Sequence, residues 1–301
     1  MTEYQYIGKS IPRTYETDKV TGRAVYIDDL KLPGMLYGKI LYSNYAHARI
    51  IRIDTTQAKK LPGVRAVLTG SDIPDVRVGF IKDQTVLKKD VVRQFRDEVA
   101  AVAATSPEIA REALDLIEVE YEELPGLFDP FEAMQEDAPL VHEIDARGRP
   151  LRTNILPLPW RFSAGDVEEG RRQSAYTVKD RVATTWVNQC CMGTSGCIAE
   201  FGPSGRLTVW SNTQIPSLAQ KDFLTTLKAL DLKKARVRVV KPCIGGGFGS
   251  KLDTYAYEHI AILLAHATHR PVRILFDRSE EFMATSTRQP AVIDIAQGCD
   301  E

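Results

Sequence analysis

Short apolar runs of strand length dominate the first part of the chain. Leu36 to Tyr42 and Arg49 to Ile53 read as strands, and in the second Ile51 and Ile53 alternate with Arg52 and Asp54, the period of a half-buried strand. Thr55 to Leu61 predicts a short helix stopped by Pro62-Gly63, and Val64 to Leu68 predicts a further strand. The sharpest local unit follows. Val99 to Ala103 is an apolar strand, Ser106 and Pro107 supply the cap and first position of a helix, and Ile109, Ala110, Ala113, Leu114 and Ile117 give it one apolar face. Glu118 to Tyr121 returns as a strand.

The pattern breaks between Phe128 and Arg161, where prolines recur at Pro130, Pro139, Pro150, Pro157 and Pro159. Such a stretch reads as a linker wrapped over a surface. Beyond it, Ala175 to Thr185, Arg206 to Trp210, Arg236 to Val240, Val272 to Phe276 and Val292 to Ala296 predict strands, with Gln297 to Glu301 turn-like. Leu218 to Leu230 and Thr254 to His266 predict helices. The expected class is α+β, divided into 1–127, a linker 128–161, and 162–301.

Composition narrows the function classes. With 44% hydrophobic and 26% charged residues over 301 positions, the chain can bury a sizeable core. A formal charge of -1 offers no basic excess for nucleic acid. No apolar run is long enough for a membrane helix, and Met1 to Arg13 lacks a secretory apolar core, so a cytoplasmic address is the default expectation. Five cysteines without a C-x-x-C pair, and five histidines without H-E-x-x-H, predict no metal ligands from protein side chains and mostly buried apolar thiols.

The most informative stretch runs from Lys241 to Lys251. Four glycines in five residues, Gly245-Gly246-Gly247-Phe248-Gly249, stand between a predicted strand and helix, where backbone N–H groups can approach a ligand closely. A tight turn packing strand on helix is the alternative. A P-loop requires Gly-Lys-Ser/Thr, and Gly249 is followed by Ser250-Lys251. A dinucleotide fingerprint counted from Gly245 requires glycine where Ser250 stands. Phe248 is unusual in a plain turn, because an aromatic there needs something to pack on.

This loop resembles the G-G-G-F-G motif of the molybdenum hydroxylases, the xanthine dehydrogenase and aldehyde oxidase family. The resemblance extends to Lys19-Val20-Thr21-Gly22-Arg23-Ala24, Leu36-Tyr37-Gly38-Lys39-Ile40, Ala46-His47-Ala48-Arg49-Ile50, Gly63-Val64-Arg65-Ala66-Val67 and Glu120-Tyr121-Glu122-Glu123-Leu124-Pro125, and then to Gly165-Asp166-Val167 and Asn212-Thr213-Gln214. It implies an a/b hammerhead domain over 1–127, followed from 162 by the first part of a molybdopterin-binding α+β domain.

The resemblance further implies a pterin-held molybdenum cofactor, in bacteria usually the cytosine dinucleotide form. It implies oxidation of an aldehyde or N-heteroaromatic substrate with water-derived oxygen, and partner subunits carrying iron–sulfur clusters and FAD. Gln214 matches the glutamine beside the metal's oxo group, Phe248 and Gly249 the pair whose backbone lies next to it, and Gly246 and Gly247 the glycines that admit close approach. Leu252 replaces the glutamate by which purine-oxidising members read substrate. Met192-Gly193-Thr194 replaces a frequent Met-Glu-Pro, and Arg96 a usual glycine.

The family's catalytic glutamate belongs to a Gly-x-Gly-Glu context further along the polypeptide than Glu301. Within this chain, Asp253 reads as a helix cap and Glu258 as a solvated or ion-paired carboxylate. The base is therefore expected on another chain, and the isolated chain is expected not to turn over; a split gene and a truncated product both fit. A cofactor-free structural or assembly subunit that kept the fold is the alternative.

Overall fold

The computed structural model describes residues 4–13, 16–79, 81–145, 147–156 and 161–301. A short helix α1 (Glu16–Val20) and a 3-10 turn (Ile27–Asp29) precede β1 (Leu36–Tyr42), β2 (Ala48–Asp54), α2 (Thr56–Lys60) and β3 (Val64–Thr69). Next come the very short β4 (Arg77–Val78), β5 (Gln84–Thr85) and β6 (Val91–Val92), then β7 (Glu98–Ala104), α3 (Pro107–Asp115), β8 (Glu118–Glu123) and α4 (Pro130–Ala133). After the proline-rich stretch the chain continues through α5 (Val167–Gln173), β9 (Tyr176–Ala183), β10 (Gly196–Phe201), β11 (Leu207–Ser211) and α6 (Pro216–Ala229). It ends with β12 (Val237–Val240), α7 (Ala256–Thr268), β13 (Val272–Leu275), α8 (Arg278–Ala284) and β14 (Val292–Cys299).

One mixed seven-stranded sheet, ordered β12-β11-β10-β13-β1-β7-β3, organises these elements. β1 joins its two halves, pairing antiparallel with β7 (Gly38 opposite Ala103) and parallel with β13 (Leu36 opposite Val272). Strands from both sides of 128–161 thus share one ladder. The chain is divided by sequence, but the sheet is not.

β7 explains how the sheet carries helices on both faces. Ala101 and Ala103 join the core that contains Ile260, Ile262 and Leu264 of α7, while Ala100, Val102 and Ala104 join the core that contains Ala110 and Ala113 of α3. Small residues alternating on a strand buried on both faces let both helices approach closely. Ser106 caps α3 by accepting from Ile109 N at 3.2 Å, as the sequence predicts. Residues 256–265 of α7 are buried without interruption, so this helix is buried all round and runs through the core, carrying Glu258 and His259 in with it.

The structure corrects several expectations. In β2 the register shifts between Ile50 and Arg52, so Ile50 is buried and Ile51 is exposed; a bulge, not simple alternation, sets the face. β10, central in the sheet between β11 and β13, has no counterpart in the sequence reading, nor do α5 and α8. The turn expected at 297–301 is instead the continuation of β14 to Cys299, held by pairing with Tyr176. Among the cysteines only Cys191 and Cys197 are buried; Cys190 and Cys299 are exposed. Asp253 does not cap α7. Tyr255 occupies the cap position, and its N–H donates to Glu258 Oε2 at 3.0 Å.

Candidate functional site

β12 delivers the chain to the glycine loop, and α7 leads away from it. Cys243 fixes the entry by bridging Tyr26 and donating its N–H to Val25 O at 3.0 Å. A turn then closes on Gly247, whose carbonyl accepts from Ser250 N at 2.8 Å, Ser250 Oγ at 2.8 Å and Cys191 Sγ at 3.5 Å. Gly246, Phe248 and Gly249 have φ of 109°, 48° and 94°, in the left-handed half of backbone space. Glycine adopts this readily and phenylalanine does not. Phe248 is nonetheless held there, 75% exposed. The edge of its ring lies over Gly246, where an added Cβ would stand 3.0 Å from Cε2.

Gln214 meets this loop from the other side. β11 ends at Ser211, and Asn212 and Thr213 carry the chain to Gln214, whose N–H donates to Lys251 O at 2.7 Å. The side-chain oxygen Oε1 accepts from Gly249 N at 3.1 Å and Lys251 N at 3.3 Å. Backbone N–H groups only donate, so these two bonds fix which end of the amide is oxygen. The Nε2 donor is left without a hydrogen-bond partner among the described residues. A Cβ built on Gly247 would lie 2.6 Å from Gln214 Oε1, so a side chain there would displace the amide from its present position.

The loop from Cys190 to Thr194 closes the third side. Gly193 N donates to Gly245 O at 2.9 Å, and Lys251 Nζ donates to Gly193 O at 2.7 Å. Arg278, on α8, donates to Cys191 O at 2.7 Å and Met192 O at 2.5 Å. Three successive carbonyls thereby accept from two cationic side chains. Burial pulls the Lys251 ammonium below its ordinary pKa, although the Glu281 carboxylate works the other way.

Behind the loop, Glu258 accepts from Ser211 Oγ and Tyr255 N. The sequence reading placed this carboxylate in water or an ion pair. It is instead 2% exposed, and burial raises its pKa to about 7. The adjacent His259 is buried between Thr226 Oγ1 at 2.6 Å and Thr254 Oγ1 at 3.2 Å, and burial lowers its pKa to about 4. Asp253 is exposed and lines a separate cavity of about 240 Å³ with Arg96, Tyr255 and Ser286.

The five residues singled out from sequence, Gln214, Gly246, Gly247, Phe248 and Gly249, therefore converge. Sequence reading gave no positive role to Gly193, Lys251 or Arg278, whose contacts join segments far apart in the chain. Asn212 Oδ1, Asn188 Nδ2 and Gln189 Oε1 are buried polar atoms without hydrogen-bond partners, all from segments bordering the 190–194 loop or leading to Gln214. Such atoms ordinarily find a partner. A glycine cradle, a fixed amide with its donor free and uncommitted buried acceptors fit a polar ligand with acceptor oxygens and ring nitrogens. No cluster of three His, Cys, Asp or Glu side chains that could hold a metal occurs among the described residues.

Two family models match the chain: the aldehyde oxidase and xanthine dehydrogenase a/b hammerhead domain over residues 21–125, and the molybdopterin cofactor-binding domain over 149–301. A probable xanthine dehydrogenase subunit of Bacillus subtilis is 39% identical over 94% of this chain and 36% of its own length. The nicotinate dehydrogenase large molybdopterin subunit of Eubacterium barkeri is 34% identical over 98% of this chain and 67% of its own. Reconstituted CO dehydrogenase from Oligotropha carboxidovorans superposes with a TM-score of 0.84 at 32% identity, covering 97% of this chain and 38% of that one. The chain thus spans about a third of the length of the first and third of these and two thirds of the second. The hammerhead unit, the cofactor-binding unit and the relatives agree: this chain belongs to the molybdenum hydroxylase family, the family of xanthine dehydrogenase and aldehyde oxidase.

Proposed function

We propose that this chain forms the opening part of the molybdenum-bearing unit of a hydroxylase that oxidises an aldehyde or an N-heteroaromatic substrate with water-derived oxygen. The observation that carries this reading is the Gln214 amide, fixed by Gly249 N and Lys251 N with its Nε2 donor free beside a glycine cradle. The cofactor is a pterin-held molybdenum, in its cytosine dinucleotide form. When bound, it supplies two-electron redox chemistry and the delivery of a water-derived oxygen to the substrate carbon.

This chain's residues do the holding. Gln214 Nε2 would donate to an oxo-type acceptor of that group without adding charge, and the Phe248 and Gly249 backbone would help hold it. Gly246 and Gly247 keep the approach open. The loop from Cys190 to Thr194, clamped by Lys251 and Arg278, fixes the cradle's far wall. Leu252 stands where a substrate-reading glutamate would serve purines, which favours other substrates.

A general base must lie within hydrogen-bond reach of the proton it takes. Glu258 has both oxygens engaged behind the loop, and Asp253 lines a different cavity. The reading therefore takes the catalytic glutamate from further polypeptide of the molybdenum unit, and the iron–sulfur clusters and FAD from partner subunits, in the cytoplasm. Among the described residues no helix is long and apolar enough to cross a membrane. Along the chain, the reading assigns 1–127 to the hammerhead unit, 128–161 to a connecting segment and 162–301 to the cofactor-binding unit.

The test is turnover in labelled water. The complex with the completing polypeptide incorporates the labelled oxygen into product. Steady turnover by the isolated chain loaded with cofactor would place the base within these residues.

A further inference from the structure

β9 and β14 form a ribbon that pairs with nothing else among the described residues, leaving both outer edges open. Directly paired residues share a face, and faces alternate along each strand. One face carries Tyr176, Val178, Val182, Ile293, Ile295 and Cys299, interrupted by Asp180 and Gln297. The five larger apolar side chains there are each 38% to 65% exposed. The opposite face carries the Arg181–Asp294 ion pair at 2.6 Å, Lys179 and Thr177, with Val292, Ala183, Ala296 and Gly298 beside them. It is also the face toward α5, because a Cβ on Gly298 would strike Ser174 at the end of that helix.

The ribbon is thus two-sided, with its more polar, charged face toward α5 and its mainly apolar face bare. A two-stranded ribbon is marginal alone, and an apolar sheet face is ordinarily covered. Its connections lead to the candidate site. Past Ala183, Val187 pairs with Arg288, and the chain then enters the 190–194 loop that packs on the glycine loop.

From this geometry we infer that the apolar face of the β9–β14 ribbon docks the further polypeptide of the molybdenum unit that completes the site. This rests on the proposed function. The occupant follows from three facts. The face is mainly apolar, with one charged residue, which suits a stable contact within one unit better than a passing one. The relatives carry additional polypeptide beyond the part this chain matches, about two thirds of the length for the xanthine dehydrogenase and CO dehydrogenase chains. The ribbon also continues into the wall of the cradle that this polypeptide would face.

The test co-expresses this chain with the polypeptide of the same source that matches the rest of those relatives. Assembly is read by co-purification and mass, and amide exchange is followed over 176–183 and 292–299. In the wild-type complex these amides slow at least tenfold, and Val182→Asp with Ile293→Asp cuts the co-purified polypeptide at least tenfold. Ala296→Asp, on the opposite face, leaves assembly unchanged, which separates docking from general damage. Undiminished assembly of the double variant overturns the inference. So does a wild-type chain that takes up none of that polypeptide, or one that doubles its own mass through this face. Assembly through the ribbon without molybdenum would sink the functional reading and leave the docking surface standing.

Discussion

Gly193 and Gly245 lie backbone against backbone. A Cβ on Gly245 would sit 2.6 Å from Gly193 Cα, and one on Gly193 would sit 2.8 Å from Gly245 Cα. Glycine at position 193, where the resemblance leads one to expect a glutamate, permits this tight contact between the two loops. Gly193→Glu is expected to push them apart and cost about 1–3 kcal/mol of stability, the usual range for overpacking. A urea unfolding midpoint equal to wild type would show that the loops separate freely.

Gln214 has two functions that substitutions can split. Gln214→Leu leaves Gly249 N and Lys251 N without their acceptor, the first bond exposed and the second partly buried, and is expected to cost about 1 kcal/mol. Gln214→Glu keeps an acceptor for both N–H groups but removes the free donor. It should unfold near the wild-type midpoint while the assembled complex loses molybdenum-dependent activity. Equal activity of the Glu variant would mean that Nε2 touches nothing that matters.

Glu258 and His259 give a pH signature with opposing signs. The Glu258 pKa rises on folding from an ordinary 4.5 to about 7, so the folded state holds the extra proton and stability falls as pH rises through that window. His259 drops from an ordinary 6.5 to about 4, so the unfolded state holds the extra proton and stability rises with pH between those values. The two contributions nearly cancel where the windows overlap. Glu258→Gln removes one of them. Its stability relative to wild type should therefore rise between pH 4.5 and 7, by about 3 kcal/mol in total. A constant difference across that range would show that Glu258 stays ionised.

The parts of the fold legible in the sequence were those fixed locally. Ser106-Pro107 opening α3 is a cap with its chemistry in adjacent residues. β10 was missed because Gly196 to Ala199 is buried in a run, so no alternation marks it. Glu258 was misread because an amphipathic α7 would have a wet face, whereas this helix is buried from Ala256 to Ala265. In the site, the glycine loop announced itself by composition, and Gln214 was reached through resemblance. The roles of Gly193, Lys251 and Arg278 are carbonyl and backbone contacts between distant segments, and no spacing along the chain encodes them.

The central claim is that the cradle formed by Gly246, Gly247 and Gln214 holds a molybdenum cofactor. Molybdenum analysis of the purified, assembled complex tests it most directly, comparing wild type with Gly247→Val, whose side chain would fill the space now taken by Gln214 Oε1. The account predicts molybdenum in the wild-type complex and at least a tenfold loss in the variant, with assembly intact. Equal molybdenum content in both, or an assembled wild-type complex without molybdenum, would contradict it.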